Sequence, residues 1–267
     1  MMERAGSVVA LRRYPVKSML GEDVDAVAVT EEGVEGDRAT AVMDVATGMV
    51  ASAKHPRLWR GLLEFGARWN NGATQIQMPD GRMLHVDDDD ADEALSQVLG
   101  RSVRLLTTRP EHATVGRPAP ESVIEAGVDA DVPYAHLEIG RGTPGTTFVD
   151  FAPIHVFTTA TIAQVGAELV RYRPNLVLDL PGTTPYPEND WTARELAVGP
   201  VVLRILGPTQ RCAVPTLVHG DLPRRTDAVR TLMQHNRVPA TGMQPCLGAY
   251  AEVVRAGEVA IGDPAAF

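Results

Sequence analysis

Thr74-Gln-Ile-Gln-Met78, Pro79-Asp-Gly81 and Arg82-Met-Leu-His-Val86 follow one another without a break. Apolar and polar residues alternate on both sides of a Pro-Asp-Gly turn, which is the period of a half-buried strand pair. The same texture recurs nearby. Leu62-Leu-Glu-Phe65, Ala39-Thr-Ala-Val-Met43, residues 24–29 and Ser7-Val-Val-Ala-Leu-Arg-Arg-Tyr14 read as strands. Between them lie the turn Gly33-Val-Glu-Gly-Asp-Arg38 and the hairpin-type loop Asp44-Val-Ala-Thr-Gly48. Residues 91–99 predict a short amphipathic helix ended by Gly100, and Val103-Arg-Leu-Leu-Thr107 returns as a strand. Such a meander of short strands is the pattern of a barrel or sandwich.

From 109 to 145 the chain is rich in Pro, Gly and Ala and reads as a connection, with a short helix near 121–125. The second half restarts at Thr146-Thr-Phe-Val-Asp150, followed by the strand His155-Val-Phe-Thr158 and a helix over 160–170 capped by Thr159 or Thr161. Asn175-Leu-Val-Leu-Asp179 is a strand. The hairpin of 195–199 with 201–206 leads to Gly207-Pro-Thr-Gln-Arg-Cys-Ala-Val-Pro-Thr216. A helix over 226–236 and a strand pair, 247–255 with 258–262, close the chain. The fold class is therefore mainly β with a few helices (α+β), in two β-rich domains, 1–110 and 111–267.

Composition agrees. Of 267 residues, 20 are proline and 24 glycine with only 5% aromatic, as many short elements require. Two cysteines cannot build a disulfide framework, residues 1–6 lack the apolar run of a signal peptide, and no stretch is long enough to span a bilayer. These features predict a cytoplasmic protein without a membrane partner. A formal charge of −9 with no basic stripe argues against a nucleic-acid partner. The run Asp87-Asp-Asp-Asp90 reads as a solvated helix start.

Cys212 follows Arg211 at the end of an apolar strand and enters a Pro-rich turn. A neighbouring cation favours a thiolate, which is both a nucleophile and a soft metal ligand, although a lone cysteine also suits a small buried site. Thr158, Thr159 and Thr161 lie at a strand-to-helix junction, where free N–H groups and hydroxyls suit an anion or simply cap the helix.

Read in order, Tyr14-Pro-Val-Lys-Ser18, Gly33, Asp37-Arg38, Pro56 with Leu58, Arg173-Pro-Asn175, Glu188 with Trp191, Arg211-Cys212, Leu247-Gly-Ala-Tyr250 and Gly262-Asp263 resemble the MOSC family. The resemblance is to its two-part members, an N-terminal β-barrel domain followed by the MOSC β-barrel domain. It implies the molybdenum cofactor (molybdopterin-bound molybdenum), with Cys212 as metal ligand. Lys17, Ser18, Arg38 and Arg173 match positions on the pterin or its phosphate, and Asn175, Thr209, Arg211 and Tyr250 are further cofactor-binding candidates. The implied activity is reduction of N-hydroxylated or related N–O or S–O small molecules. A separate electron-donor protein of reductase or ferredoxin type is implied too, since the chain has neither a dinucleotide fingerprint nor a cysteine cluster. A sulfur carrier or transferase using a Cys212 persulfide without metal is the alternative, and a carrier of the cofactor a third.

Three places depart from the family pattern: Asn189 where an acid is usual, a cation displaced to Lys54, and Cys246 where an aromatic is usual. Cys246 is expected near Cys212, as a small buried thiol, a resolving cysteine or a second soft ligand. His155 and His219 sit in no recognised motif and read as structural or surface residues, and Trp191 as a core or lid aromatic.

Overall fold

A computed structural model, which describes residues 6–267, closes seven strands into a barrel. Round the wall they are Ile154–Thr158, Leu176–Asp179, Gly6–Arg13, Pro264–Ala266, Glu195–Val198, Val201–Gln210 and Gln244–Arg255, the last pairing back onto the first. Only Ile154–Thr158 and Leu176–Asp179 run parallel, and the helix Thr159–Val165 makes the crossover that parallel strands need. Alternation turns Val8, Leu11, Val156, Leu178, Leu203 and Ile205 into one core, where each is at most 1% exposed. A buried aliphatic side chain of this kind contributes about 1.5–3 kcal/mol. The expectation about a signal peptide falls largely on residues 1–5, outside the described residues. Among the described residues, no helix is long and apolar enough to cross a membrane.

Both ends of the chain build this barrel. Gly6–Arg13 lies between Leu176–Asp179 and Pro264–Ala266, and Ala26–Thr30 pairs with Gly257–Ala260. That second pairing corrects the expected closing strand pair. Gln244–Arg255 is already flanked by Val201–Gln210 and Ile154–Thr158, so it offers no free edge, and the last turn reaches across to the first third instead. As a result the turn after Gly6–Arg13 is held against the 173–175 turn.

A second core lies outside the barrel, made by Met19, Leu62, Phe65, Ile76, Leu84 and Leu95 with their neighbours. It is covered by the sheet Gly66–Asn70, Ala73–Gln77 and Met83–His85, by the pair Ala41–Asp44 and Val103–Leu106, and by the helix Ala91–Leu99. Residues 62–65 are not a strand. Pro56 opens a helical turn, Pro56–Trp59, which tightens into a 3-10 turn over Arg60–Glu64. Consecutive Leu62 and Leu63 are both fully buried, which a strand facing one core cannot achieve. Leu62 enters the second core while Leu63 packs with Val214 and Leu217, just beyond Cys212.

The helix expected over 160–170 stops at Val165, because Gly166 takes a left-handed φ of 66° and closes it. The supposed connection at 109–145 contains the expected helix, Pro120–Ala126, but also a pair of strands, Thr114–Pro118 with Tyr134–Glu138. Glycine and proline inside and beside these strands conceal them from a propensity reading.

At Gly248 a neighbouring element approaches the backbone closely. What approaches is the barrel itself: a Cβ there would stand 2.3 Å from the Phe157 ring and 2.6 Å from the Val156 carbonyl oxygen, at φ +70°. Gly248→Ala is therefore expected to destabilise the chain by about 2–4 kcal/mol, read as a lower denaturant midpoint.

Candidate functional site

Three turns meet at one end of the barrel. The first carries Lys17 and Ser18, the second Arg38, and the third Arg173 and Asn175. Arg38 ties the second to the third, donating to the Asn175 side-chain oxygen at 3.3 Å and to the Arg173 carbonyl at 3.2 Å. Ser18, Arg38 and Arg173 all have left-handed φ, at 66°, 48° and 57°, and all line the same cleft. Left-handed backbone at a non-glycine residue costs about 1 kcal/mol or more, so three such residues round one cavity mark a site whose shape is enforced.

The cleft is cationic. Lys17, Lys54, Arg38, Arg171, Arg173 and Arg211 line it, in a protein of net charge −9. Their counter-ions are few. Arg38 pairs with Asp37, Arg171 with Glu168 at 2.6 Å, and the two lysines share Asp150 at 2.7 and 2.9 Å. Among the described residues neither Arg173 nor Arg211 has a carboxylate partner, and one buried nitrogen of Arg173, Nη2, has no partner at all. Burial and the neighbouring Arg38 push Arg173 down to about 10. Burial raises the Asp150 carboxyl, but Lys17 and Lys54 outweigh it and hold the group well below its ordinary value. An excess of desolvated cations with one orphaned N–H is a donor set for an anion.

Tyr14, fully buried, organises two of these cations. The guanidinium carbons of Arg173 and Arg38 lie 4.2 and 4.6 Å from its ring centre. Asn175 is held by the protein at both side-chain atoms: its oxygen accepts from Arg38 and from the His155 N–H, and one N–H donates to the Arg12 carbonyl at 3.4 Å. It fixes the turn.

Cys212 stands half-buried where this cleft meets a second cavity, and Lys54, Asp150, Arg211 and Tyr250 line both. Arg211 lies beneath it. Its guanidinium donates to the Tyr172 carbonyl at 3.0 Å, to the Leu247 carbonyl at 2.7 Å, and to His155. These acceptors are neutral, so the positive charge beside the thiol is left uncompensated. Burial, then Arg211, hold His155 well below its ordinary pKa, and the ring stays neutral. Arg171 fastens the far side of the Cys212 loop, donating to the carbonyls of Leu217 and Pro223, both at 2.8 Å.

Burial is the main cause that pushes Lys17 down to about 8 from an ordinary 10.5, against the pull of Asp150. Because the folded value is the lower one, the folded chain gives up this proton first, and stability from this group grows as pH rises from about 8 to 10.5. Anion binding runs the other way, since it needs the ammonium. Sulfate, which does not titrate in this range, is expected to bind progressively more weakly above pH about 8 in calorimetric titrations, with a flatter and weaker profile for Lys17→Gln.

Lys17, Ser18, Arg38, Arg173, Asn175, Arg211, Cys212 and Tyr250 are thus brought together, and four other expected residues are not. Thr158 and Thr161 are fully buried and give their hydroxyls to Glu188, at 2.9 and 2.7 Å. Thr158 is the helix cap, accepting from the Thr161 N–H at 3.3 Å, and with both hydroxyls turned to Glu188 neither residue lines the cleft. Thr159 donates to Asp179 at 2.8 Å. Thr209 is buried with its hydroxyl unpartnered, while Pro208 and Gln210 on either side line the second cavity. Alternation along the strand turns Thr209 away. Cys246 is fully buried, with its thiol 3.4 Å from both Thr241 Oγ1 and the Gln244 carbonyl, and lines neither cavity. Trp191 is a core aromatic packed on Phe267. His155 is buried and lines the cleft, so of the two expected roles it takes the structural one, hydrogen-bonded to the Arg173 and Leu247 carbonyls and to Arg211. Its signal is a histidine set among Ile154, Val156 and Phe157, where only a neutral, hydrogen-bonded imidazole is tolerated. Asp150 and Arg171 were missed because neither falls in a motif.

The class of protein follows from comparison with family descriptions. The family description "MOSC domain" matches residues 144–266 and "MOSC N-terminal beta barrel domain" matches residues 5–112, so the chain belongs to the MOSC family. It is similar to mitochondrial amidoxime-reducing component 1 of Homo sapiens, at 22% identity over 99% of this chain and 83% of that protein. Among solved structures it is similar to the YUAD protein from Bacillus subtilis, with a TM-score of 0.44, 13% identity and coverage of 99% of this chain and 97% of that one.

Proposed function

We propose that this protein is a molybdenum-cofactor-dependent reductase of N-hydroxylated or related N–O or S–O compounds, with Cys212 as the cysteinyl ligand of the metal. The observation that carries this reading is the continuity of a single half-buried thiol with a cleft of under-compensated cations. A soft metal and a phosphate-tailed organic group demand opposite chemistries side by side, and this cavity offers both. Among the described residues no three His, Cys, Asp or Glu side chains gather as a metal cage, so a metal held largely by its own organic ligand suits the site better than a bare ion.

Lys17, Arg38 and Arg173 would hold the phosphate and pterin, with Arg211 and His155 setting the charge behind Cys212. When bound, the cofactor would supply two-electron chemistry at the metal. The overall change is R–NHOH plus two electrons and two protons giving R–NH2 and water, with the N–O bond broken. Burial pushes the Tyr250 phenol up, so it remains an O–H donor at neutral pH, at the junction of the cavities. The Lys17–Asp150–Lys54 chain holds further exchangeable protons next to it. Electrons would come from a separate donor protein of reductase or ferredoxin type, because two cysteines cannot ligate an iron–sulfur cluster of four. A Cys212 persulfide carrier is the second reading. The accessible thiol suits it, but it leaves the cations round Lys17 and Arg173 without an occupant.

Protein produced with ample molybdate is expected to reduce an amidoxime or hydroxylamine with reduced methyl viologen as donor. Cofactor-loaded protein without turnover would leave a carrier, not a reductase.

A further inference from the structure

The second cavity, about 1310 Å³ including its open mouth, is walled by the strands Thr114–Pro118 and Tyr134–Glu138. These strands lie in residues 113–143, between the two stretches that the family descriptions match. Apart from Arg211, whose guanidinium is spent on carbonyls and His155, the charges of this cavity are mostly neutralised in place. Glu138 is paired with Arg141 at 2.8 Å and with His112 at 3.0 Å, and Lys54 is held by Asp150. Arg117 is different. Among the described residues it has neither a carboxylate partner nor a hydrogen-bond acceptor, and its cross-strand neighbour is the small Ala135. Its charge acts on the Tyr250 phenol. Opposite the hairpin, Phe151 is 43% exposed and rests against the Tyr250 ring at 5.7 Å. Val115, Leu137 and Ile139 complete an apolar lining.

A free guanidinium, an exposed phenyl and an aliphatic wall opening onto one thiol describe a ligand in three parts. We propose that the hairpin of Thr114–Pro118 and Tyr134–Glu138 selects ring-bearing N–O substrates that carry an anionic group. Arg117 takes the anion, Phe151 and Tyr250 take the ring, and the N–O group lies toward Cys212. The proposal rests on the reductase reading above. The reaction is R–C(=NOH)NH2 plus two electrons and two protons giving R–C(=NH)NH2 and water, with two equivalents of reduced methyl viologen as reductant.

The test compares benzamidoxime with 4-carboxybenzamidoxime on the cofactor-loaded protein. The kcat/KM ratio should favour the carboxylated compound about tenfold, fall to near one in Arg117→Gln, and be largely kept in Arg117→Lys. A ratio unchanged by Arg117→Gln, or a wild-type preference for the neutral compound, overturns the assignment. Turnover of neither compound overturns the reductase reading instead, and calorimetry then decides the role of Arg117 by itself. 4-Carboxybenzamidine should bind Arg117→Gln about tenfold more weakly than wild type, and equal binding overturns the proposal.

Discussion

Cys212→Ser is expected to lower viologen-driven reduction of N-hydroxylated compounds by at least about a thousandfold, a loss of roughly 4 kcal/mol in transition-state stabilisation. A serine hydroxyl is hard, poorly ionised and a weak ligand for a metal that already prefers sulfur. The substitution is almost isosteric at a half-buried position, so the fold should survive. The denaturant midpoint should move by no more than about 1 kcal/mol in stability. Activity retained in a folded Cys212→Ser variant contradicts the ligand assignment, whereas loss of activity with loss of folding does not support it. Circular dichroism must therefore accompany the kinetics.

Glu188→Ala is expected to cost stability and not chemistry, by about 3–5 kcal/mol. The carboxylate is 1% exposed and accepts from the Thr158 N–H at 2.8 Å and from the hydroxyls of Thr158 and Thr161. Alanine leaves the Thr158 N–H and the Thr161 hydroxyl buried without that acceptor, while Thr158 can still donate to Thr161 Oγ1 at 3.1 Å, at the start of the crossover helix that joins two barrel strands. Glu188→Gln keeps an acceptor and the shape, and should cost about 1 kcal/mol. Burial pushes the Glu188 carboxyl up from its ordinary 4.5. A folded value above the unfolded one contributes stability that is fully present below the unfolded value and is lost as pH rises through the folded one. Wild type should therefore gain on Glu188→Gln as pH falls through this range, in paired unfolding curves. An opposite slope would show that the hydrogen bonds to the charged form outweigh its desolvation.

Much of this is legible in the sequence. Short alternating strands and punctuating turns give the barrel wall, and Tyr14-to-Ser18, Arg38, Arg173-to-Asn175 and Cys212 point to one cleft through their resemblance to the MOSC family. The rest was not legible, for physical reasons. The pairing of Ala26–Thr30 with Gly257–Ala260 depends on which edges remain free after the barrel closes, and sequence order does not state that. The threonines at 158 and 161 carry the chemistry of an anion site, but a carboxylate from 30 residues away along the chain occupies it. Whether a helix start faces solvent, ligand or Glu188 is a tertiary fact. The hairpin beside Cys212 was hidden because Gly116 and Pro118 are poor strand residues that packing overrides. Asp150 acquires its role only from two lysines that fold against it.

The central claim is that Cys212 belongs to a molybdenum site. Its most direct test is the molybdenum and pterin content of wild-type protein produced with ample molybdate, with sulfane sulfur assayed on the same sample. The prediction is close to one molybdenum and one pterin per chain, and no persulfide on Cys212. Protein holding neither metal nor pterin, but carrying labile sulfane sulfur on Cys212, would contradict it.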